Sequence, residues 1–175
     1  TVEERKRIAR DTIYRTAEMI SQFRKGGASA ESTFFSNQLP PLESLGDGAS
    51  GLTQPEVEIN VINSDSYISA RTILAETSQA NGKTAVLNLA SDEEPAGGWI
   101  HSFTRTQARF DEEALCYSST LYATLKPKYY LQYPWPNLGP GSVAGVFSPG
   151  VVVFKDDLAH HCADLPPEDR VVVSL

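Results

Sequence analysis

The sequence predicts one α/β domain in which helices pack against a largely parallel β-sheet. Segments that space their apolar residues as a helix does alternate along the chain with short runs rich in Val and Ile, and that order is typical of α/β folds. The chain has 175 residues, of which 41% are hydrophobic and 21% are charged. This is enough for one core and too few for two ordinary domains. We therefore expect residues 1–175 to form a single domain.

The N-terminal part of the chain is predicted to be a helix followed by an irregular segment. Residues 1–25 carry an amphipathic pattern that is closed by the glycines at 26–27, which predicts an N-terminal helix. Residues 28–55 are rich in Ser, Gly, Pro and Asn, and this composition favours a surface excursion with room for a short strand at 32–35. The core of the domain is then expected within residues 57–175.

Strands and helices are predicted to alternate through this core. Strands are indicated by strict apolar–polar alternation or by β-branched runs, and helices by apolar residues three to four positions apart. Pro127 sets the latest end of the second core helix, because the residue before a proline disfavours helical geometry. The expected elements are a strand at 57–62, a helix at 66–80, a buried strand at 84–89, a helix at 112–125, strands on both sides of 148–150 within 144–154, and a strand at 170–175.

Composition excludes several classes of function. The formal net charge is -7, which disfavours a surface that binds a nucleic-acid backbone directly. No uninterrupted apolar stretch approaches the length of a membrane span, so we expect no membrane partner. Cys116 and Cys162 are the two cysteines and form no CxxC pair, which favours a reducing compartment. We expect an intracellular protein, cytoplasmic or nuclear, that would hold any phosphate-bearing polymer in a local pocket.

A glycine-containing loop follows the predicted strand at 84–89. In α/β sheets, ligands bind where strands end at their carboxyl edge. Gly97 and Gly98 lack a Cβ, so the backbone there can approach a sugar or a diphosphate closely. Such a pair taken alone is more often only a turn.

Three consecutive carboxylates, Asp111, Glu112 and Glu113, open the helix after this loop. Acidic residues in a first helical turn commonly just complement the helix dipole. A functional role requires one of them to hold a proton near neutral pH. Crowded negative charge raises a carboxyl pKa, whereas the helix N-terminus lowers it. A carboxylic acid of this kind can protonate the leaving oxygen of a glycosidic bond and then activate water.

The segment VLNLASDEEPAGGWIHSFTRTQARFDEEALCYSSTLY resembles the microbial-type poly(ADP-ribose) glycohydrolases of the macrodomain superfamily. The later GVFSPGVVVFKDD and the N-terminal RIARDT are similar to other parts of that family. The matching positions of the segment are Asn88, Gly97, Gly98, Glu112, Glu113, Leu115, Cys116, Ser119, Leu121 and Tyr122.

The resemblance implies a macrodomain-like, three-layer α/β/α fold with a mixed, largely parallel sheet, and a catalytic site that needs no metal and no cofactor. It assigns the catalytic acid to Glu113, with Glu112 beside it. Position in the helix agrees, because a residue further into the turn can be packed further from water, which raises its pKa. Asn88 is implied to contact the distal ribose of the ligand. The other candidate substrate-binding residues are Ala90, Ala96, Gly97, Gly98, Trp99 and Asp111.

The implied activity is hydrolysis of the ribose–ribose bonds of poly(ADP-ribose), extending to removal of ADP-ribose from protein. The expected partners are ADP-ribose, poly(ADP-ribose) and ADP-ribosylated proteins. Three departures from the family's pattern stand out, and two of them, Asp111 and the longer loop, support an alternative, a macrodomain that binds ADP-ribose as a reader with little or no turnover. Ala96 replaces a glycine of the family, Asp111 replaces a glutamine, and the loop at 99–110 is longer. A third hypothesis is a degenerate module that binds nothing. We also expect the C-terminal part of the family's domain to be absent from residues 1–175.

For three other groups of residues, a structural role is favoured over a functional one. His160, His161 and Cys162, with the aspartates at 156–157, have the residue types of a metal site but no recognised spacing, so a helix surface is favoured. Cys116 is expected in the core rather than as a nucleophile. The aromatic residues at 129–135 are expected to pack as a loop rather than to stack on adenine.

Overall fold

The computed structural model describes residues 1–37, 39, 58–80, 82–99, 111–131, 135 and 144–175. Within this part of the chain, no helix is long and apolar enough to cross a membrane. The helices are α1 (Val2–Gln22), α2 (Ser66–Glu76) and α3 (Asp111–Ser118), and the strands are β1 (Thr33–Phe35), β2 (Gly145–Phe147), β3 (Val151–Val153) and β4 (Val171–Val173).

Helix α1 begins where the sequence predicts, and its start is fixed by a capping box. The Thr1 hydroxyl accepts the N–H of Glu4, and the Glu4 side chain bonds back to the Thr1 backbone nitrogen. Its buried side includes Ile8, Ala9 and Met19. The chain then leaves the helix through Gly27, whose φ of 95° lies in the left-handed region that glycine adopts without strain. The N-terminal helix is thereby confirmed.

The described strands form two small antiparallel sheets. Strand β1 pairs with β2, and β3 pairs with β4 in a register that places Val152 opposite Val172. Strand β3 is buried along its whole length. The mixed α/β class is therefore confirmed. The largely parallel, three-layer sheet is not found among the described residues, where the bridge between Ala85 and Ser174 is the one parallel pairing.

Two predicted strands lack the neighbour that would make them strands. Residues 58–63 are not paired with any described residue, and their alternating Ile59 and Val61 are exposed to solvent. Among the described residues, the segment at 84–89 makes only the bridge at Ala85; Val86 is buried as expected, whereas Leu87 and Leu89 are exposed. Alternation of apolar and polar residues shows which side of a segment is apolar. A β-strand also needs an adjacent strand whose backbone groups form hydrogen bonds with it.

The sequence predicts that this helix ends at residue 125, but α3 ends at Ser118. The Ser119 hydroxyl donates to the carbonyl oxygen of Leu115 at 2.8 Å and accepts the N–H of Leu121 at 3.2 Å. Serine side chains that bond nearby backbone groups compete with helix continuation. A 3-10 turn at Leu121–Thr124 follows. Helix α2 similarly ends at Glu76, four residues early, and a 3-10 turn at Ser78–Ala80 follows.

A buried polar network fixes α3 against α1 and the end of β3. The Thr12 hydroxyl, on α1, donates to the carbonyl oxygen of Tyr117 at 2.8 Å. The ammonium group of Lys155, which is almost fully buried, donates to that hydroxyl at 2.9 Å and pairs with Asp11 at 2.6 Å. The backbone N–H of Lys155 also donates to the carbonyl oxygen of Ser118. The C-terminal end of α3 is therefore anchored, which sets the position of its N-terminal glutamates.

Candidate active site

The first turn of α3 contacts the segment at 88–91. Glu112 makes this contact with both carboxylate oxygens. Its Oε1 accepts a hydrogen bond from Nδ2 of Asn88 at 3.1 Å, and its Oε2 accepts the backbone N–H of Ser91 at 3.3 Å. Two of the residues proposed from sequence, Asn88 and Glu112, are thus brought together although 24 positions separate them.

Burial dominates the electrostatics of Glu112. Its pKa is raised to about 7, mainly because burial removes hydration; hydrogen bonds from Ser91, Asn88 and Ala96 oppose this rise, and the neighbouring Glu113 adds to it. A carboxyl group with such a pKa exchanges a proton near neutral pH. This property is what the proposed acid–base chemistry requires of the site.

The order of burial within the glutamate pair is the reverse of the sequence argument. Glu112 is 0% exposed and Glu113 is 7% exposed, whereas position in the helix had favoured deeper burial of Glu113. The loop residues Asn88 and Ser91 cover the first glutamate, and the sequence alone did not indicate that contact. Burial therefore gives no support to Glu113 over Glu112 as the acid.

Asn88 can serve either protonation state of Glu112. In the orientation described, its Nδ2 donates to Glu112, while its Oδ1 is buried with no hydrogen-bond partner among the described residues. Rotation of the amide by half a turn exchanges these two atoms, and Oδ1 then accepts a hydrogen bond from the O–H of a neutral Glu112. In the orientation described, Oδ1 is an acceptor suited to a sugar hydroxyl.

The loop at Pro95–Gly98 is a 3-10 turn with an unusual backbone. Ala96 and Gly97 have φ of 53° and 58°, in the left-handed region. A side chain with a Cβ is strained there, and Ala96 is fully buried. The N–H groups of Gly97 and Trp99 donate to the carbonyl oxygens of Glu94 and Ala96, so they are engaged within the loop.

Trp99 packs in the core. Its ring meets the rings of Tyr117 and Tyr122 edge-on, with centroids 5.2 Å and 5.4 Å apart, and it is almost fully buried. Trp99 therefore packs the end of the loop at 95–98 against α3. Ala90 is exposed beside Asn88, and Asp111 is the first residue of α3. Within the longer loop at 99–110, residues 100–110 lie outside the described residues.

Ser91 is the site residue that sequence reasoning missed. Its backbone N–H, rather than its hydroxyl, contacts Glu112. Since any residue type offers a backbone N–H, no side-chain signal pointed to it. Its place directly after Asn88, Leu89 and Ala90 was the one available indication, because polar groups at strand ends often line ligand sites.

Asp156, Asp157 and His160, which follow β3, have the residue types of metal ligands. Donor atoms of Asp156, Asp157 and His160 lie within 4.8 Å of one another. Nδ1 of His160 lies 2.7 Å from Asp157, and Arg71 lies 3.4 Å from Asp156. The side chains of Asp156, Asp157 and His160 therefore already have partners within the protein. The segment at 158–162 is a turn rather than the expected helix surface, and Cys162 in it is buried.

The remaining sequence expectations concern the core. Cys116 is fully buried in the main apolar cluster, as expected. Tyr129, Tyr130 and Trp135 pack together with Phe34, which confirms the predicted packing for these three aromatic residues; Tyr133 lies outside the described residues.

Comparison with known proteins gives both a family and a fold. The family model for the microbial-type poly(ADP-ribose) glycohydrolase (PARG) catalytic domain matches residues 7–156. A structure of poly(ADP-ribose) glycohydrolase from Thermomonospora curvata bound to the inhibitor ADP-HPD aligns with a TM-score of 0.64 and 23% identity, covering 98% of this chain and 61% of that chain. A mutant of the Thermomonospora curvata protein aligns with the same TM-score, the same coverage and 22% identity.

A glycohydrolase structure from Deinococcus radiodurans in complex with ADP-ribose aligns with a TM-score of 0.47 and 28% identity, over 63% of this chain and 40% of that chain. A comparison with curated protein sequences gives no match. The chain spans about three fifths of the length of the Thermomonospora curvata structures. The family model covers most of the chain, including α3 and the loop that contacts it, and this protein therefore belongs to the microbial-type PARG catalytic-domain family.

Proposed function

We propose that this protein hydrolyses the ribose–ribose glycosidic bonds of poly(ADP-ribose), and that the same site can release ADP-ribose from modified protein. The observation that carries the proposal is the contact of Glu112 with Asn88 and Ser91, which holds the first of two adjacent carboxyl groups against the segment at 88–91. Family membership supplies the substrate class, because the aligned structures are of poly(ADP-ribose) glycohydrolases.

In this mechanism, Glu113 is the general acid. Its carboxyl proton passes to the oxygen that leaves as the glycosidic bond breaks, and positive charge develops at the anomeric carbon. The carboxylate then accepts a proton from the water that attacks this carbon, which restores the acid. Glu112 holds Asn88 and the loop in place. Asn88 Oδ1 accepts a hydrogen bond from a hydroxyl of the distal ribose, and Ala96 and Gly97 line that sugar.

Incubation with an automodified polymerase tests the proposal. The wild-type protein should release ADP-ribose, and Glu113→Gln should lower the rate on the order of 10²-fold or more while affinity for ADP-ribose changes only a few-fold. Glu112→Gln should weaken binding more than it slows turnover. If Glu112→Gln causes the larger loss of rate and Glu113→Gln does not, the assignment of the acid is wrong.

Two further outcomes separate this proposal from its competitors. A protein that binds ADP-ribose with no release of product would be a reader rather than a hydrolase. Acid–base chemistry through a glutamate needs no metal, so activity should persist in EDTA. Activity that is lost in EDTA and restored by zinc or magnesium would contradict the mechanism.

A further inference from the structure

Two adjacent tyrosines, Tyr129 and Tyr130, end the 3-10 turn at Pro127–Tyr130 and are buried in one aromatic cluster. Their hydroxyl groups differ in their partners. The O–H of Tyr129 donates to the carbonyl oxygen of Ser32 at 2.9 Å and lies 3.1 Å from the Ser32 hydroxyl. The hydroxyl of Tyr130 is buried and has no hydrogen-bond partner in the part of the chain that the structure describes. One of two neighbouring hydroxyl groups is therefore unpaired in an enclosed position.

Packing explains the ring of Tyr130 but not its oxygen. The ring packs against Trp135, with centroids 5.3 Å apart, and Tyr130 is only 8% exposed. Phenylalanine offers the same ring, and it avoids the cost of burying a hydroxyl group that makes no hydrogen bond. Buried polar groups without a partner are rare in folded proteins, and departures of this kind are concentrated at functional sites. The hydroxyl of Tyr130 therefore needs an explanation outside the packing of the aromatic cluster.

The hydroxyl of Tyr130 faces the side of α3 that carries Glu112. After burial, the charge of Glu112 is the strongest influence that raises the pKa of this hydroxyl, ahead of that of Cys116. Glu112 and Cys116 lie four residues apart on α3, which places them on the same side of the helix, and both are fully buried. Trp135, against which Tyr130 packs, lines the same cavity as Asn88. Because Tyr130 and Glu112 are both buried, the charge of an ionised Glu112 is only weakly screened at the tyrosine oxygen.

The other titratable groups of this cluster supply no positive charge. Among the described residues they are Glu113 and Cys116 on α3 and Tyr122 on the turn that follows. Glu113 adds negative charge, and burial raises the pKa of the Cys116 thiol and the pKa of the Tyr122 hydroxyl, so both stay neutral. Neutral donors therefore have to stabilise an ionised Glu112.

We propose that Tyr130 is a positioning residue for Glu112, and that its O–H turns toward the carboxylate and stabilises it when Glu112 loses its proton. An ionised carboxyl group accepts about four hydrogen bonds, and Asn88, Ser91 and Ala96 already donate to Glu112. A further acceptor position therefore remains for the Tyr130 donor. A phenol hydrogen rotates about its C–O bond, so it can be aimed without movement of the buried ring. The proposal concerns the protonation of Glu112 and does not rest on the proposed hydrolase activity.

Tyr130→Phe removes only the oxygen and tests the proposal. The side-chain carboxyl carbons of the glutamates are followed by NMR as the pH is raised, and the Glu112 signal is the one that disappears in Glu112→Gln. In Tyr130→Phe the titration midpoint of Glu112 should move upward by about half a pH unit or more, because a contact that favours the charged form is lost. The matched control is Tyr129→Phe. It should leave the Glu112 midpoint unchanged, because the Tyr129 hydroxyl is bonded to Ser32.

Stability measurements separate this role from a structural one. At pH 5, where Glu112 is protonated, Tyr130→Phe should be at least as stable as the wild type in denaturant titrations, since it removes a buried hydroxyl that has no partner. Tyr129→Phe should be less stable than the wild type. Between pH 5 and pH 8.5, Tyr130→Phe should lose more stability than the wild type, because its folded-state pKa of Glu112 lies further above that of the unfolded chain. In the Glu112→Gln background this difference should disappear.

Three results would overturn the proposal. The first is an unchanged Glu112 midpoint in Tyr130→Phe. The second is a shift confined to the signal of Glu113, identified with Glu113→Gln, because the hydroxyl would then act on the other carboxyl group. The third is a loss of stability at pH 5 as large as that of Tyr129→Phe, or a Tyr130→Phe protein that does not fold, because the hydroxyl would then serve the fold.

Discussion

The side-chain amide of Asn88 donates a 3.1 Å hydrogen bond to Glu112 at the first turn of α3. This bond joins the end of a strand-like segment to a carboxyl group that is buried and has its pKa raised to about 7. The protonation of Glu112 is therefore coupled both to folding and to its contact with Asn88. The predictions below use that coupling.

Glu112 should make folding stability fall as the pH rises. Its pKa is raised from 4.5 in the unfolded chain to about 7 in the folded one, so the folded state binds more protons between those values and loses stability as pH increases through them. The penalty is about 3 kcal/mol above pH 7. Relative to Glu112→Gln, which cannot ionise, the wild type should lose this amount between pH 4.5 and pH 8 in denaturant titrations.

The control for this measurement is the exposed Glu168. Glu168→Gln should follow the wild type at every pH. A stability difference between the wild type and Glu112→Gln that stays constant from pH 4.5 to pH 8 would show that the pKa of Glu112 is the same in the folded and the unfolded protein.

Asn88→Leu should shift the same titration. Loss of the Nδ2 donor removes a contact that favours the charged form of Glu112, so the pKa of Glu112 should rise further. Unfolding experiments should show a larger destabilisation at pH 8.5 than at pH 5.5. In the Glu112→Gln background this pH dependence should disappear, because the two residues act through one bond. A pH-independent effect of Asn88→Leu in both backgrounds would mean that it acts through packing alone.

ADP-ribose should stabilise the folded protein more than ATP does. A ligand that binds only the folded state contributes about 2.7 kcal/mol at a hundredfold excess over Kd. ATP lacks the distal ribose that Asn88 is proposed to contact. Thermal shifts measured at matched ligand concentrations should therefore differ, and Asn88→Leu should bring them closer together. Equal shifts with the two ligands in the wild type would contradict the proposed role of Asn88.

Asp11→Asn should destabilise the protein by about 1–2 kcal/mol, because it leaves the buried ammonium of Lys155 without its counter-charge. The value is smaller than for a fully buried pair, since Asp11 is partly exposed. Glu3→Gln breaks the exposed pair with Lys6 and should leave stability almost unchanged. Chemical denaturation of both variants makes the comparison, and equal effects would rule out a special role for the Lys155 network.

The sequence predicted those elements whose signals are local. Helix α1 has an amphipathic pattern and a capping box, and α2 begins at Asp65, whose side chain accepts two backbone N–H groups. The segment at 57–62 was predicted as a strand from alternation and that at 84–89 as a buried strand, yet strand formation depends on a neighbour that can lie anywhere in the sequence. The end of α3 was missed because a single hydroxyl, that of Ser119, decides it.

In the candidate site too, residue identities could be predicted from the sequence, whereas contacts between distant segments could not. Asn88, Glu112 and Glu113 were proposed from residue type and resemblance, and the structure brings Asn88 and Glu112 into contact. Which glutamate is more deeply buried depends on how the loop covers α3, and position along the helix does not contain that information. The backbone contact of Ser91 is invisible to any argument based on side chains.

The left-handed backbone of Ala96 restricts which amino acids this protein can accept there. Alanine at such a φ costs about 1–2 kcal/mol relative to an unstrained conformation, and β-branched side chains are excluded more strongly. Because the site is also fully enclosed, long polar residues that tolerate this conformation find no room. A saturation library at position 96 should therefore retain only glycine and alanine, so that selection there acts on the path of the main chain and not on the chemistry of a side chain.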